Sequence, residues 1–220
     1  MRRRRRIIRQ SAASRFLHWT HTISCLLLFY TGLALYSPRL NGLAAVFGGL
    51  DGSRFAHRVC GVFFIGIPIL MIIFNWRGFV NFLKDIFTWE ENDTAWLLRF
   101  PIYLFRAKTK MPPQGKLKSG QKFADWFIIG SSILLILTGI AMAFPANFPK
   151  GLVQWSFPLH ELGMIILGVF LLGHIYLGLG IFQPYRGAWR YMFGDGTVSE
   201  EEAKYHWARW YEEVKGKEST

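Results

Sequence analysis

Six histidines, His18, His21, His57, His160, His174 and His206, are the side chains of this sequence best suited to chemistry. Five of them lie in or beside long apolar stretches, where an ionisable group is costly and marks a functional position. His160 and His174 are 14 residues apart. In a helix that spacing covers about 21 Å and close to four full turns, so both imidazoles leave nearly the same face, one toward each end. His57 opens a second apolar stretch level with His160, and His18 opens the first level with His174. Two pairs emerge: His57 with His160, and His18 with His174. Paired neutral imidazoles on facing helices supply what a b-type haem needs, one axial nitrogen above the porphyrin and one below. Two such haems stacked along a membrane normal would make an electron path between its faces. Zinc suits the pattern less well, because pairs are not tetrahedral clusters and no carboxylate joins them.

Other residues near these positions leave alternatives open. His21, one turn from His18, either replaces it as a ligand or faces the interface. His206, in the C-terminal tail, reads as a surface or interface residue. Gly32, Gly61, Gly163, Gly168 and Gly173 flank the ligand positions and either leave room for a flat macrocycle or let helices pack closely. Arg15, Arg54 and Arg58 either pair with haem propionates or occupy a solvated end. Cys25 and Cys60 form no CxxC or CxxCH pattern, so neither covalent haem attachment nor a structural zinc is supported. They sit at different depths and read as small buried hydrophobes rather than a disulfide.

The elements that must position these residues are four apolar spans. A hydrocarbon core of ~30 Å needs ~20 apolar residues as helix. Phe16–Tyr36, Phe55–Trp76, Phe123–Phe144 and Phe157–Phe182 meet this, with Pro68 tolerated as a kink in the second. Trp and Tyr collect at the edges of the runs, as expected at headgroup level. The arginine-rich start precedes an apolar stretch with no small-residue cleavage site, so it reads as an uncleaved first helix. The loop between the second and third spans alternates aromatics with charges and predicts short amphipathic helices in the interface. Ser199 followed by Glu202 predicts an N-cap and capping box opening a soluble tail helix. No internal repeat is apparent along the chain.

A net charge of +12 would point to nucleic acid in a soluble protein. Here the location of the charge gives it a topological meaning. Arg2 to Arg6, Arg9 and Arg15 precede the first span, and nine Lys or Arg residues from Arg77 to Lys122 separate the second from the third. Arg186, Arg190, Lys204, Arg209, Lys215 and Lys217 follow the fourth, while the other two loops are nearly free of basic residues. The positive-inside rule puts both termini and the central loop in the cytoplasm, and no nucleic-acid partner is expected. The expected fold is therefore an all-α, four-helix integral membrane bundle of the bacterial inner membrane. It comprises a basic N-terminus (1–15), a transmembrane domain (16–182, cytoplasmic loop 77–122) with interfacial helices, and a cytoplasmic tail (183–220) carrying a helix.

Five stretches then bring a family into view: RFLHWTHTISCLLLFYTGLALYSP, RFAHRVCGVFF, SGQKFADWFIIGSSILLILTGIAM, LHELGMIILGVFLLGHIYLG and KYHWARWYEEV. Over nearly its whole length the chain resembles the gamma subunit, or membrane cytochrome b, of respiratory formate dehydrogenases. The broader family includes cytochrome b subunits of nickel–iron hydrogenases and thiosulfate reductases. The resemblance implies an outer haem held by His57 and His160 and an inner haem held by His18 and His174. It also implies menaquinone or another quinone reduced near the start of the third helix, where the family motif reads Asn-x-Gly-Gln-Lys. Gly120, Gln121 and Lys122 match that motif, while Lys118 stands in place of the asparagine. The departure bears on how a quinone carbonyl would be held. The alternative for Gln121 and Lys122 is to cap or anchor the third helix. By the same resemblance the partners are an iron–sulfur (beta) subunit and a molybdenum or tungsten catalytic (alpha) subunit, which itself oxidises formate. A hydrogenase or thiosulfate reductase cytochrome is the alternative within the class, and a histidine-lined transporter or metal carrier the alternative outside it.

Overall fold

A computed structural model of the chain describes residues 5–106 and 108–218, the side chains of 217 and 218 excepted. Arg2, Arg3 and Arg4 of the basic N-terminus and the side chain of Lys217 lie outside the described residues. The elements in order are β1 (Arg6–Ile8), α1 (Ala12–Tyr36), α2 (Leu50–Phe74), α3 (Trp76–Phe87), α4 (Glu91–Phe105), α5 (Ser119–Ala143), α6 (Lys150–Leu179), α7 (Arg190–Phe193), β2 (Thr197–Ser199), α8 (Glu200–His206) and α9 (Ala208–Glu218). Short 3-10 turns cover Pro38–Phe47 and Pro145–Asn147. Apart from two three-residue strands, the regular structure of the described residues is all-α.

The four long helices α1, α2, α5 and α6 correspond to the expected spans, and each starts some residues before its apolar run. The first turn of a helix has N–H groups without intrahelical partners and is at home in a polar setting, which suits Asp51 of α2 and Lys150 of α6. Among the described residues, α2, α5 and α6 are long and apolar enough to cross a bilayer. α1 has the length, at 25 residues. His18, Thr20, His21, Thr22, Ser24 and Thr31 dilute its hydropathy. Pro68 lies inside α2 and Pro158 inside α6.

The chain divides into two compact units: residues 1–12, 80–130 and 166–220 form one, and residues 13–79 and 131–165 the other. In the first, β1 pairs antiparallel with β2, matching Ile7 with Val198. The Ile7 side chain packs against a small core of Val198, Ala203, Trp207, Trp210 and Tyr211, and burying it gives the arginine-rich segment its apolar anchor. The Arg9 guanidinium lies 4.7 Å from the centre of the Trp207 ring and 4.9 Å from that of Trp210, and donates to the Lys116 carbonyl. Ser199 caps α8 as its spacing predicts: its hydroxyl accepts from the Glu202 N–H at 3.2 Å, and the Glu202 carboxylate accepts from the Ser199 N–H at 2.9 Å. α3 is strongly amphipathic, and its Ile86 carbonyl accepts from Trp126 of α5. Gly180, at φ 55°, closes α6 where a side chain would strike the returning backbone of Tyr185 and Ala188.

In the second unit, α1 turns back through the Pro38–Phe47 segment into α2. Tyr30 donates to the Leu43 carbonyl at 3.0 Å, pinning that segment to α1. Gly48 and Gly49 take φ of 77° and 105° to start α2. Cys25 is buried, Cys60 half-buried, and both are free thiols.

Candidate functional site

Two of the histidines meet in the second unit. His57 projects from the second turn of α2 and His160 from α6, with ring centroids 6.3 Å apart and planes at 61°. Each Nδ1 is tied to a threonine on a neighbouring helix. Thr31 Oγ1 of α1 lies 2.8 Å from His57 Nδ1, and Thr138 Oγ1 of α5 lies 2.9 Å from His160 Nδ1. The residue after each threonine is a glycine. A Cβ on Gly32 would stand 3.5 Å from Cε1 of His57, and one on Gly139 would stand 3.4 Å from Cε1 of His160. The rings therefore lie against bare helix backbone. Neither Nε2 has a hydrogen-bond partner among the described residues.

The other histidines differ from one another. His18, in the second unit, has Nδ1 3.5 Å from Thr22 Oγ1 and sits edge-on to Trp19. His21 stacks on Phe64 at 4.5 Å, and its buried Nδ1 has no hydrogen-bond partner among the described residues. His174, in the first unit, lies on α6 with its side chain exposed. Of the flanking glycines, Gly163 faces Leu135 at 3.0 Å, as close helix packing requires, whereas Gly61 and Gly173 face open space. Arg54 pairs with Asp51 of its own helix at 2.6 Å.

The residues expected at a quinone pocket fall in the first unit, in three different surroundings. Lys118 is buried, with Nζ 4.3 Å from the centre of the Tyr185 ring, 4.5 Å from that of Trp207 and 3.3 Å from His206 Nδ1. Burial, reinforced by the charge of Arg9, holds its amine well below the usual lysine range. Gly120 backs onto Trp96, whose ring a Cβ would approach at 2.8 Å, and Gln121 is exposed. His206, which its place in the tail suggests is a surface or interface residue, takes part in this cluster. It is half-buried and stacked 5.5 Å from Tyr185, because Trp207 and Trp210 draw this helix into an aromatic core.

Burial, helped by the Lys118 charge, pushes His206 down to about 3. Unfolded, its imidazole would take up a proton near pH ~6.5. The unfolded chain then binds more protons between those values, so stability falls as pH drops through that window. Thermal unfolding in detergent should show this slope, and His206→Gln should flatten it. An undiminished slope in the variant would remove His206 as its source.

A buried ion pair lies beside this cluster. Lys122 Nζ of α5 is 2.8 Å from Asp93 Oδ2 of α4, with the two side chains 6% and 2% exposed. Asp93 also accepts from the Glu90 N–H at 2.9 Å and the Ser119 hydroxyl at 2.7 Å, and Lys122 also donates to the Thr88 carbonyl at 2.8 Å. Lys122 thus anchors the start of α5. Arg209 of α9 grips both Glu90 oxygens, fastening the tail to the same corner.

A family model, the prokaryotic cytochrome b561, matches residues 9–195. The chain belongs to the prokaryotic cytochrome b561 family. It is 29% identical over 216 residues to the cytochrome b556(Fdn) subunit of the nitrate-inducible formate dehydrogenase of Escherichia coli K12, covering 97% of this chain and 94% of that one. The formate dehydrogenase cytochrome b556 subunit of Haemophilus influenzae is 26% identical over 211 residues, covering 94% and 83%. A probable Ni/Fe-hydrogenase B-type cytochrome subunit of Cupriavidus necator is 28% identical over 192 residues, covering 76% and 77%.

This cytochrome is accordingly a bacterial membrane protein of a family that implies b-type haem, and the His57–His160 pair fits that group. A metal–imidazole bond is about 2 Å. Adding roughly 1 Å from each nitrogen to its ring centre, two axial rings on one iron hold centroids about 6 Å apart. The observed 6.3 Å agrees. Sequence reading found both histidines and Gly32 but missed Thr31, Thr138 and Gly139. A threonine or glycine in an apolar helix is ordinary, and only its place beside an imidazole sets it apart.

Proposed function

We propose that this cytochrome is the di-haem membrane subunit of a formate dehydrogenase complex in the bacterial inner membrane. It takes electrons from a periplasmic iron–sulfur subunit and delivers them to menaquinone or another quinone on the cytoplasmic side. The observation that carries the reading is the His57–His160 pair, two imidazoles from different helices with centroids 6.3 Å apart and neither Nε2 hydrogen-bonded among the described residues. The formate partner is supported by relatives bearing that name over nearly the full length of the chain. The hydrogenase reading draws on a relative that covers 76% of it.

In this reading the bundle has four spans, α1 included despite its polar residues, with both termini and the central loop cytoplasmic, as the distribution of Lys and Arg supports. His57 and His160 hold the outer haem. His18 and His174 hold the inner one, an assignment resting on their sequence spacing and on the family resemblance. When bound, the haems supply one-electron carriage across the bilayer. Lys118, Gly120 and Gln121 line the quinone site. Lys118 has no carboxylate partner among the described residues, and burying an unpaired amine is costly. Retaining it suits a donor kept for a ligand's carbonyl oxygen. Formate oxidation itself belongs to the molybdenum or tungsten subunit.

Extraction of the intact complex in mild detergent tests the proposal. Iron–sulfur and molybdenum or tungsten subunits should stay bound, and formate should reduce added quinone. His18→Ala or His174→Ala should abolish that quinone reduction while formate still reduces the remaining haem. A nickel–iron partner would move the chain to the hydrogenase class, and a colourless chain would favour an ion carrier.

A further inference from the structure

The two imidazoles facing each other in the second unit are held by a matching device that the sequence reading passed over. Near its C-terminal end α1 reads Thr31-Gly32-Leu33-Ala34, and α5 reads Thr138-Gly139-Ile140-Ala141. Both threonines are buried, at 0% and 5% exposure. Each hydroxyl donates to the carbonyl four residues earlier, Thr31 to Leu27 at 2.7 Å and Thr138 to Leu134 at 2.6 Å. Each Oγ1 also touches the Nδ1 of one histidine, and each following glycine backs onto that ring's Cε1.

A hydroxyl has one proton and two lone pairs. With the proton committed to a carbonyl, Oγ1 can only accept from the ring, so Nδ1 must carry the hydrogen. A neutral imidazole protonated at Nδ1 leaves its lone pair on Nε2, the nitrogen without a hydrogen-bond partner among the described residues.

We propose that Thr31 and Thr138 are positioning residues that fix the tautomer and ring orientation of His57 and His160, presenting both Nε2 lone pairs to one iron. This inference rests on the haem assignment above. A hydrogen bond accepted from Nδ1–H makes the imidazole a stronger donor and stabilises the oxidised iron, so the pair also lowers the reduction potential of that haem. The device is duplicated: α1 serves the ligand on α2, and α5 serves the ligand on α6.

Thr31→Val and Thr138→Val keep the shape and remove the acceptor, while Thr31→Ser and Thr138→Ser keep the hydroxyl. Haem content and a spectroscopic redox titration of the purified complex are the readouts. In each valine variant, one haem should shift to higher potential while the other stays where it was. The double valine variant should shift further than either single one, and each serine variant should titrate like the unmodified protein. Valine variants that bind haem and titrate unchanged would overturn the proposal. If valine abolishes binding of that haem, a serine variant that retains it supports the role of the hydroxyl, and one that also loses it overturns the proposal in favour of shape alone. Failure of the underlying assignment would look different, as a normal haem complement in His57→Ala or no haem in the unmodified chain.

Discussion

His57→Ala or His160→Ala should each reduce the haem content of the purified protein from two per chain to one. Each of these imidazoles would supply one of the two nitrogen ligands to that iron, so replacing either by a methyl group should cost the site its haem. The helix next to His57 Nδ1 offers a threonine hydroxyl already engaged with Leu27, and the one beside His160 offers another engaged with Leu134. The rings seat against Gly32 and Gly139, so alanine opens space there without disturbing the helices. Pyridine haemochrome content per protein and the dithionite-minus-oxidised spectrum measure the effect. Added quinol should still reduce the surviving haem, whereas electrons from formate should no longer enter. A full haem complement in both variants would refute the ligand assignment.

Lys122→Met should destabilise the first unit by about 3–5 kcal/mol, the range for removing one partner of a buried ion pair. The methionine leaves Asp93 ionised, 2% exposed and short of its strongest donor. Changing both partners to apolar residues should recover part of the loss, since the charge and its desolvation then vanish together. Burial opposes ionisation of Asp93, but donors from Lys122, Ser119 and the Glu90 backbone outweigh it and hold the carboxyl below its usual range. A depressed carboxyl stabilises the fold above the unfolded value of about 3.9 and loses that contribution as pH falls through the folded one. Acid unfolding should therefore begin at higher pH in Lys122→Met than in the unmodified chain. Denaturation in detergent, followed by tryptophan fluorescence, checks both effects. Unaltered stability would mean that the pair is solvated.

The helical plan was open to inspection in the residues because apolar length is a one-dimensional property. So was the capping box at Ser199, where a fixed spacing names its own geometry. The His57–His160 pair was legible for a related reason: fourteen residues between His160 and His174 fix a face, and span order fixes which histidine stands opposite. Pairings between distant segments were not legible. Ile7 sits among arginines, and nothing local says that it meets Val198. His206 reads as a surface or interface residue because its helix begins with Glu200, Glu201 and Glu202, although Trp207, Trp210 and Tyr211 are the signal that this tail carries a core. Lys122 matched a motif associated with quinone, and the contacts with Asp93 and the Thr88 carbonyl give it an anchoring role. The Thr-Gly repeat shared by α1 and α5 spans too few residues to be noticed along the chain, and becomes visible only when two imidazoles are found leaning on it.

The most direct test is the number of b-type haems per polypeptide, from pyridine haemochrome absorbance and quantitative amino-acid analysis of the same purified sample. The account predicts two, both reducible by dithionite. A value of one would contradict the assignment of His18 and His174, and a value of zero would remove the electron-carrying role altogether.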